Sequence, residues 1–119
     1  MDLKKNPPKK LLIINIFGIG DVLFTTPIVS NLKANFPKLS VGYLCNRRGL
    51  SVLENNPKID RFFVYERDEF NDLYQRSKTV FAKSILSLCG DIKKERYDTA
   101  IDVSLNSSTA FLTFVCYAY

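Results

Sequence analysis

Apolar residues in this chain come in short blocks, and the spacing within each block predicts its backbone. Leu11 to Ile14 is apolar at every position, with lysines before it and glycines after it. Such a run marks a strand buried on both faces of a parallel sheet. A first strand is therefore expected over Lys10 to Ile16 and a turn over Phe17 to Gly20. Helical spacing follows from Asp21 to Asn35, with Ile28, Val29, Leu32 and Phe36 on one face. Pro27 allows two versions of this segment: a first turn with a kink, or a helix capped by Thr26 with Pro27 at its first position. Phe36-Pro37 closes it, because a residue before proline avoids helical angles.

The same alternation continues. Ser40 to Cys45 reads as a second strand, Arg47 to Asn55 as a short helix with Leu50 and Leu53 inward, and Ile59 to Tyr65 as a third strand. Glu66 to Lys78 is dense in mixed charge and predicts a loop or an exposed helix. Thr79 to Glu95 predicts a helix with Val80, Phe81, Ile85, Leu88 and Ile92 on one side; Tyr97 to Val103 is the fourth strand, and a further helix starts at Asn106. Strands alternating with helices predict a parallel sheet with right-handed crossovers. The fold class is thus α/β, a Rossmann-like unit over residues 10–119 behind a polar leader at residues 1–9.

Composition narrows the picture only a little. The 119 residues carry a formal charge of +5, with lysines clustered at the start and again at Lys93 and Lys94. Such clusters are solvated faces or attract anionic partners. No interleaving of aromatic and basic residues and no zinc spacing supports nucleic acid. Cys45, Cys89 and Cys116 form no CxxC pair and sit among apolar residues, as reduced core thiols of a cytoplasmic protein would. The start lacks the form of a signal peptide. No apolar stretch approaches the roughly 20 residues of a membrane helix. The apolar ending, Ala110 to Tyr119, predicts that the chain is the front part of a longer protein or a truncated relative of one.

Candidate chemistry gathers where the first strand gives way to the first helix, the place where open α/β sheets bind ligands. A dinucleotide fingerprint needs G-x-G-x-x-G. Gly18 and Gly20 fit, but Leu23 stands third and Asp21 would face the pyrophosphate. The acidic residue expected about 20 positions on is missing near Leu39 to Val41. No Walker A lysine follows the glycines either. Asp21 has two other readings of equal standing, a helix cap or a general base at the sheet's carboxyl edge. Thr25 and Thr26 can line that edge or cap the helix. Asp102, with Ser104 and Asn106 after it, reads as a capped strand end or as a hydroxyl-recognition site. Arg47, Arg48, Arg67, Arg76 and Lys83 are surface charge or anion contacts.

The segment LLIINIFGIGDVLFTTPIVSNLKANFP resembles the opening of glycosyltransferase family 9, the ADP-heptose:lipopolysaccharide heptosyltransferases. SVGYLCNRRGLSVLENNP, KIDRFFVYER and ERYDTAIDVSLNSSTAFL keep that family's order of strands and helices, and the likeness runs from Lys9 to Tyr119. The usual polar-glycine pair after the fourth strand is replaced by Ser104-Leu105-Asn106. The resemblance implies the N-terminal, acceptor-side half of a GT-B enzyme, with the nucleotide-sugar domain lying outside these residues. It implies Asp21 as the base that deprotonates an acceptor hydroxyl attacking ADP-heptose with inversion. Gly18, Gly20, Thr25, Asp102 and Asn106 become substrate contacts in that scheme. Its partners are an ADP-heptose-like donor and an anionic glycolipid acceptor of lipopolysaccharide synthesis at the inner membrane surface. It needs no cofactor and no metal. The 119 residues alone are expected to be inactive. The alternatives are a non-catalytic α/β remnant or binding module, and a nucleotide-binding Rossmann domain.

Overall fold

A computed structural model of the chain describes residues 5–16 and 19–103. Four strands form one parallel sheet: β1 (Lys10–Ile14), β2 (Ser40–Cys45), β3 (Arg61–Val64) and β4 (Thr99–Asp102), in the order β3-β2-β1-β4. Helix α1 (Ile19–Asn35) links β1 to β2, and α2 (Arg47–Leu53) links β2 to β3. Helices α3 (Arg67–Arg76) and α4 (Lys78–Lys94) carry the chain from β3 across to β4. The Rossmann-like fold class and the order of elements agree with the sequence. The segment from Glu66 to Lys78, open between loop and exposed helix, is mostly the helix α3, with no buried residue.

Strand alternation sorts the core into two layers. Leu11 and Ile13 of β1, with Val41, Tyr43 and Cys45 of β2, pack against Val22 and Val29 of α1 and Leu53 of α2. Leu12 and Ile14, with Leu44 and Phe63, pack against Ile85, Cys89 and Ile92 of α4. A strand buried on both faces shows no polar alternation, which is why β1 reads LLII. Cys45 and Cys89 are buried, as expected of core residues. Burial, reinforced by the Glu66 carboxylate, pushes the Cys45 thiol up to about 12. Cys116 lies outside the described residues.

The helices differ in detail from the sequence expectation. Helix α1 begins at Ile19 and runs unbroken through Pro27. Thr26 is therefore not its cap. Proline cannot donate to the carbonyl four residues earlier. The Thr26 hydroxyl donates to that carbonyl, Leu23 O, at 2.8 Å instead. The buried stripe of α1 is set by Val22, Thr25 and Val29, so Ile28 turns outward at 38% exposed. In α4 the inward stripe runs through Phe81, Ile85, Leu88, Cys89 and Ile92, while Val80 faces solvent. Among the described residues no helix is long and apolar enough to cross a membrane.

Ion pairs brace the amino end of the sheet. Asp60 accepts from the Val41 amide at 2.8 Å and pairs with Lys33 Nζ at 3.0 Å. Its partial desolvation opposes ionisation, but the Val41 amide and Lys33 together hold its carboxyl below the usual range. Asp98 accepts from the Lys9 amide at 2.8 Å, tying the entry of β4 to β1.

Candidate functional site

The strand order decides where a ligand can lie. The chain builds outward from β1 through β2 to β3, then returns to place β4 on the other side of β1. Crossovers on the two sides of β1 therefore leave toward opposite faces. The carboxyl ends of β1 and β4 form a topological switch point, the kind of place at which open α/β sheets bind ligands.

Asp21 follows the β1 side of this switch point. It lies in the first turn of α1, a few residues past the end of β1. It is exposed, and no hydrogen bond or ion pair engages it among the described residues. The helix dipole favours a negative charge there. Asp102 is the last residue of β4 and is registered with Ile14 of β1. Val103 N–H donates to Ile14 O at 3.0 Å, so β4 stays paired to β1 up to the rim. Ile14 belongs to the layer under α4, and paired residues of a parallel ladder share a face. Asp102 thus ends β4 on the α4 face of the sheet, and Asp21 belongs to the helix that covers the other face. Gly18 and Asn106 lie outside the described residues.

Two expectations change. Gly20 is not in a tight turn: it sits within the first turn of α1, without a positive φ, and a Cβ placed on it would meet nothing within 4 Å. Folding does not require glycine here. Gly20→Ala is expected to leave stability unchanged or to raise it by up to about 1 kcal/mol, as for glycine within a helix. Thermal melting checks this. A Gly20→Ala chain that melts normally but loses substrate affinity would assign the glycine to ligand approach.

Thr25 does not line the rim. It is 5% exposed, and its hydroxyl donates to Val22 O at 2.7 Å. The same hydroxyl lies 2.5 Å from the Tyr43 hydroxyl, whose oxygen also accepts from Asn15 Nδ2 at 3.3 Å. One helical turn beyond Asp21, Thr25 falls on the inward side of α1, so a ligand at the rim does not reach it.

A cleft of about 530 Å³ opens on the β2 and β3 side of the same rim, lined by Ile16, Asn46, Arg47, Arg48, Glu66 and Arg67 among others. Asn46, the first residue after β2, caps α2 by accepting from Gly49 N–H at 2.7 Å. Its Nδ2 donates to Ile16 O at 3.2 Å and holds the segment leading from β1 to α1. Arg47 pairs with Glu69, and Arg76 pairs with Asp72 at 3.2 Å within α3. No ion pair holds Arg48 or Arg67 among the described residues, and both line the cleft together with Glu66, Asp68 and Glu69. Lys83 is exposed on α4, away from these lining residues. Asn46 had a legible signal, an asparagine before a helix. Asn15 and Tyr43 had none beyond being polar beside apolar neighbours. No group of histidine, cysteine or carboxylate side chains is placed to hold a metal ion among the described residues.

The described residues form a Rossmann-like α/β unit, and solved glycosyltransferases share that fold. Its parallel four-stranded sheet overlays a glycosyltransferase family 9 protein of Veillonella parvula with a TM-score of 0.73 at 22% identity, over 89% of this chain and 29% of that one. It overlays the Escherichia coli heptosyltransferase WaaC, solved with ADP-2-deoxy-2-fluoro heptose, with a TM-score of 0.76 at 16% identity, over 87% of this chain and 32% of that one. No family model matches the sequence. Among curated proteins, lipopolysaccharide heptosyltransferase 3 of Escherichia coli K12 is 28% identical over 71% of this chain and 23% of its own length. The lipopolysaccharide core heptosyltransferase OpsX of Haemophilus influenzae is 24% identical over 93% of this chain and 27% of its own length. In sequence the chain is thus similar to lipopolysaccharide heptosyltransferases, and in fold to a glycosyltransferase family 9 protein. It spans about a quarter of the length of these curated relatives.

Proposed function

We propose that this chain supplies the acceptor-side half of a heptosyltransferase that moves heptose from ADP-heptose to a lipopolysaccharide inner-core acceptor. One observation supports this reading: Asp21, in the first turn of the helix that follows β1, is exposed and has no hydrogen bond or ion pair among the described residues, which suits a base that an acceptor hydroxyl approaches. The names of the curated relatives, and the ADP-sugar analogue held by the WaaC neighbour, support the choice of donor and acceptor.

In this scheme the Asp21 carboxylate takes the proton of the acceptor hydroxyl. The acceptor oxygen bonds to the anomeric carbon from the face opposite the nucleotide, the bond from that carbon to the ADP oxygen breaks, and ADP leaves. The configuration is inverted. Gly18 and Gly20 let the sugars approach the backbone. Asp102 and Asn106 contact acceptor hydroxyls. Arg48 and Arg67 suit an anionic group on the acceptor, because guanidinium pairs with phosphate and carboxylate in two-point fashion. Residues 1–9 act as a leader and residues 10–119 as the acceptor-side domain. The enzyme works in the cytoplasm against the inner face of the membrane.

The test is release of ADP from ADP-heptose in the presence of a heptose-free lipopolysaccharide core. Acceptor-dependent release is expected from a polypeptide that joins these residues to a nucleotide-sugar-binding half. None is expected from the purified 119-residue chain. Transfer by the short chain alone would overturn this division of labour.

A further inference from the structure

Asn15 and Thr25 are the buried polar residues of the described core, and both bond to the hydroxyl of Tyr43, itself fully buried. The bond from Thr25 to its own helix sets a direction for the group. Thr25 has a single hydroxyl proton, which goes to Val22 O. With that proton on Val22 O, the Tyr43 hydroxyl donates to Thr25 Oγ1 and its oxygen accepts from Asn15 Nδ2. A directed chain runs from the end of β1, through the middle of β2, into the second turn of α1. Burial holds the Tyr43 phenol above its ordinary range, against the pull of its bonds to Thr25 and Asn15, so it keeps the proton it donates. The rest of this layer is apolar and packs without directional preference. Phenylalanine and valine would fill the same space at positions 43 and 25. What the hydroxyls add is register: turning α1 by one residue, or sliding it by one, strands a buried donor.

We propose that Tyr43 is a positioning residue for Asp21, fixing the rotation and height of α1 on the sheet through Thr25 so that the carboxylate is presented at the switch point. The functional meaning rests on the reading of Asp21 as the base, but the test does not depend on turnover. Tyr43→Phe and Thr25→Val each delete one hydroxyl and keep the volume. In the full 119-residue chain, amide hydrogen exchange from Val22 to Val29 is expected to quicken roughly five- to tenfold in either variant, the worth of one buried hydrogen bond. Amides of β1 and β2 should keep their rates. The double variant should add little to either single one, because both break the same chain. Thr25→Ser, which retains the hydroxyl, should restore the parent pattern. Residual dipolar couplings of α1, referred to the strand amides, should shift in Tyr43→Phe and Thr25→Val alone. If Tyr43→Phe does not fold, the contrast between Thr25→Val and Thr25→Ser decides. Exchange that quickens equally in strands and helix, or couplings that stay at parent values, would show a generic core contact and overturn the proposal. Failure of the base reading would show elsewhere, as unaltered transfer by Asp21→Asn.

Discussion

Asp21→Asn is expected to lower heptose transfer by roughly 10²–10⁴-fold, the contribution of a well-placed general base. The measurement belongs in a polypeptide that joins this chain to a nucleotide-sugar-binding half, with kcat and KM determined separately. The amide is nearly isosteric with the carboxylate but cannot take the hydroxyl proton, so the loss should fall on kcat. Each factor of ten corresponds to about 1.4 kcal/mol of transition-state stabilisation. The same change should cost the fold less than about 1 kcal/mol, because only a favourable helix-end charge is lost. Asp21 is exposed in the first turn of α1, with no described partner to leave stranded. Asp21→Glu keeps the charge but displaces it by one methylene. It should recover only part of the rate, since a misplacement of about 1 Å costs on the order of a hundredfold. Transfer by Asp21→Asn within about twofold of the parent would reduce Asp21 to a helix-end charge and leave a binding module as the better account.

Gly42→Ala is expected to be the most damaging single methyl group in the described part of the molecule. A Cβ at Gly42 would stand 2.1 Å from the Tyr97 hydroxyl and 2.5 Å from its Cζ, closer than atoms can approach. Tyr97 cannot easily give way. It is 8% exposed, lies edge-on to Phe63 with ring centroids 6.2 Å apart, and has Lys10 Nζ 5.6 Å over its ring. It also immediately precedes Asp98, whose amide donates to Lys10 O at 2.9 Å where β4 enters the sheet. Overpacking of this kind costs about 1–3 kcal/mol. In a domain of this size that lowers Tm by roughly 5–15 °C. Adding Tyr97→Phe to Gly42→Ala removes the nearest clash and should recover part of the loss. The double-mutant cycle on thermal or urea unfolding then gives a coupling energy that separates this contact from a general strand preference. A Gly42→Ala chain that melts with the parent would show that Tyr97 has room to move.

The elements of this fold were legible because each carries its own periodicity. The run Leu11 to Ile14 announced a strand covered on both faces, and Ser40 to Cys45 was read to the residue. Asp21 was legible as a candidate because an acidic residue follows the glycines where a strand ends. The rest depended on partners distant in the chain. The glycine inside Ser40–Cys45 hints at a close approach, but nothing local says that the approaching group is Tyr97, 55 positions later. Thr25 looked like a rim residue because it is polar and near Asp21. It is instead the place where α1 meets Tyr43, and a hydroxyl that satisfies its own helix while bonding a buried phenol does not register in hydrophobic spacing. Pro27 suggested a break, which the Thr26 hydroxyl removes by taking up the carbonyl that proline leaves without a donor.

The sequence by itself determined the four strands and most of the helices, that the strands lie parallel, and that a carboxylate follows the first of them, since these are short-range consequences of spacing and residue type; it left Glu66 to Lys78 open between loop and helix. Only the tertiary structure decided that β4 returns beside β1, which faces of α1 and α4 turn inward, and that Asp102 ends a strand paired with β1. Those outcomes are set by which buried surfaces and hydroxyls find one another across tens of residues, where the free energy lies in the pairing and in neither segment alone.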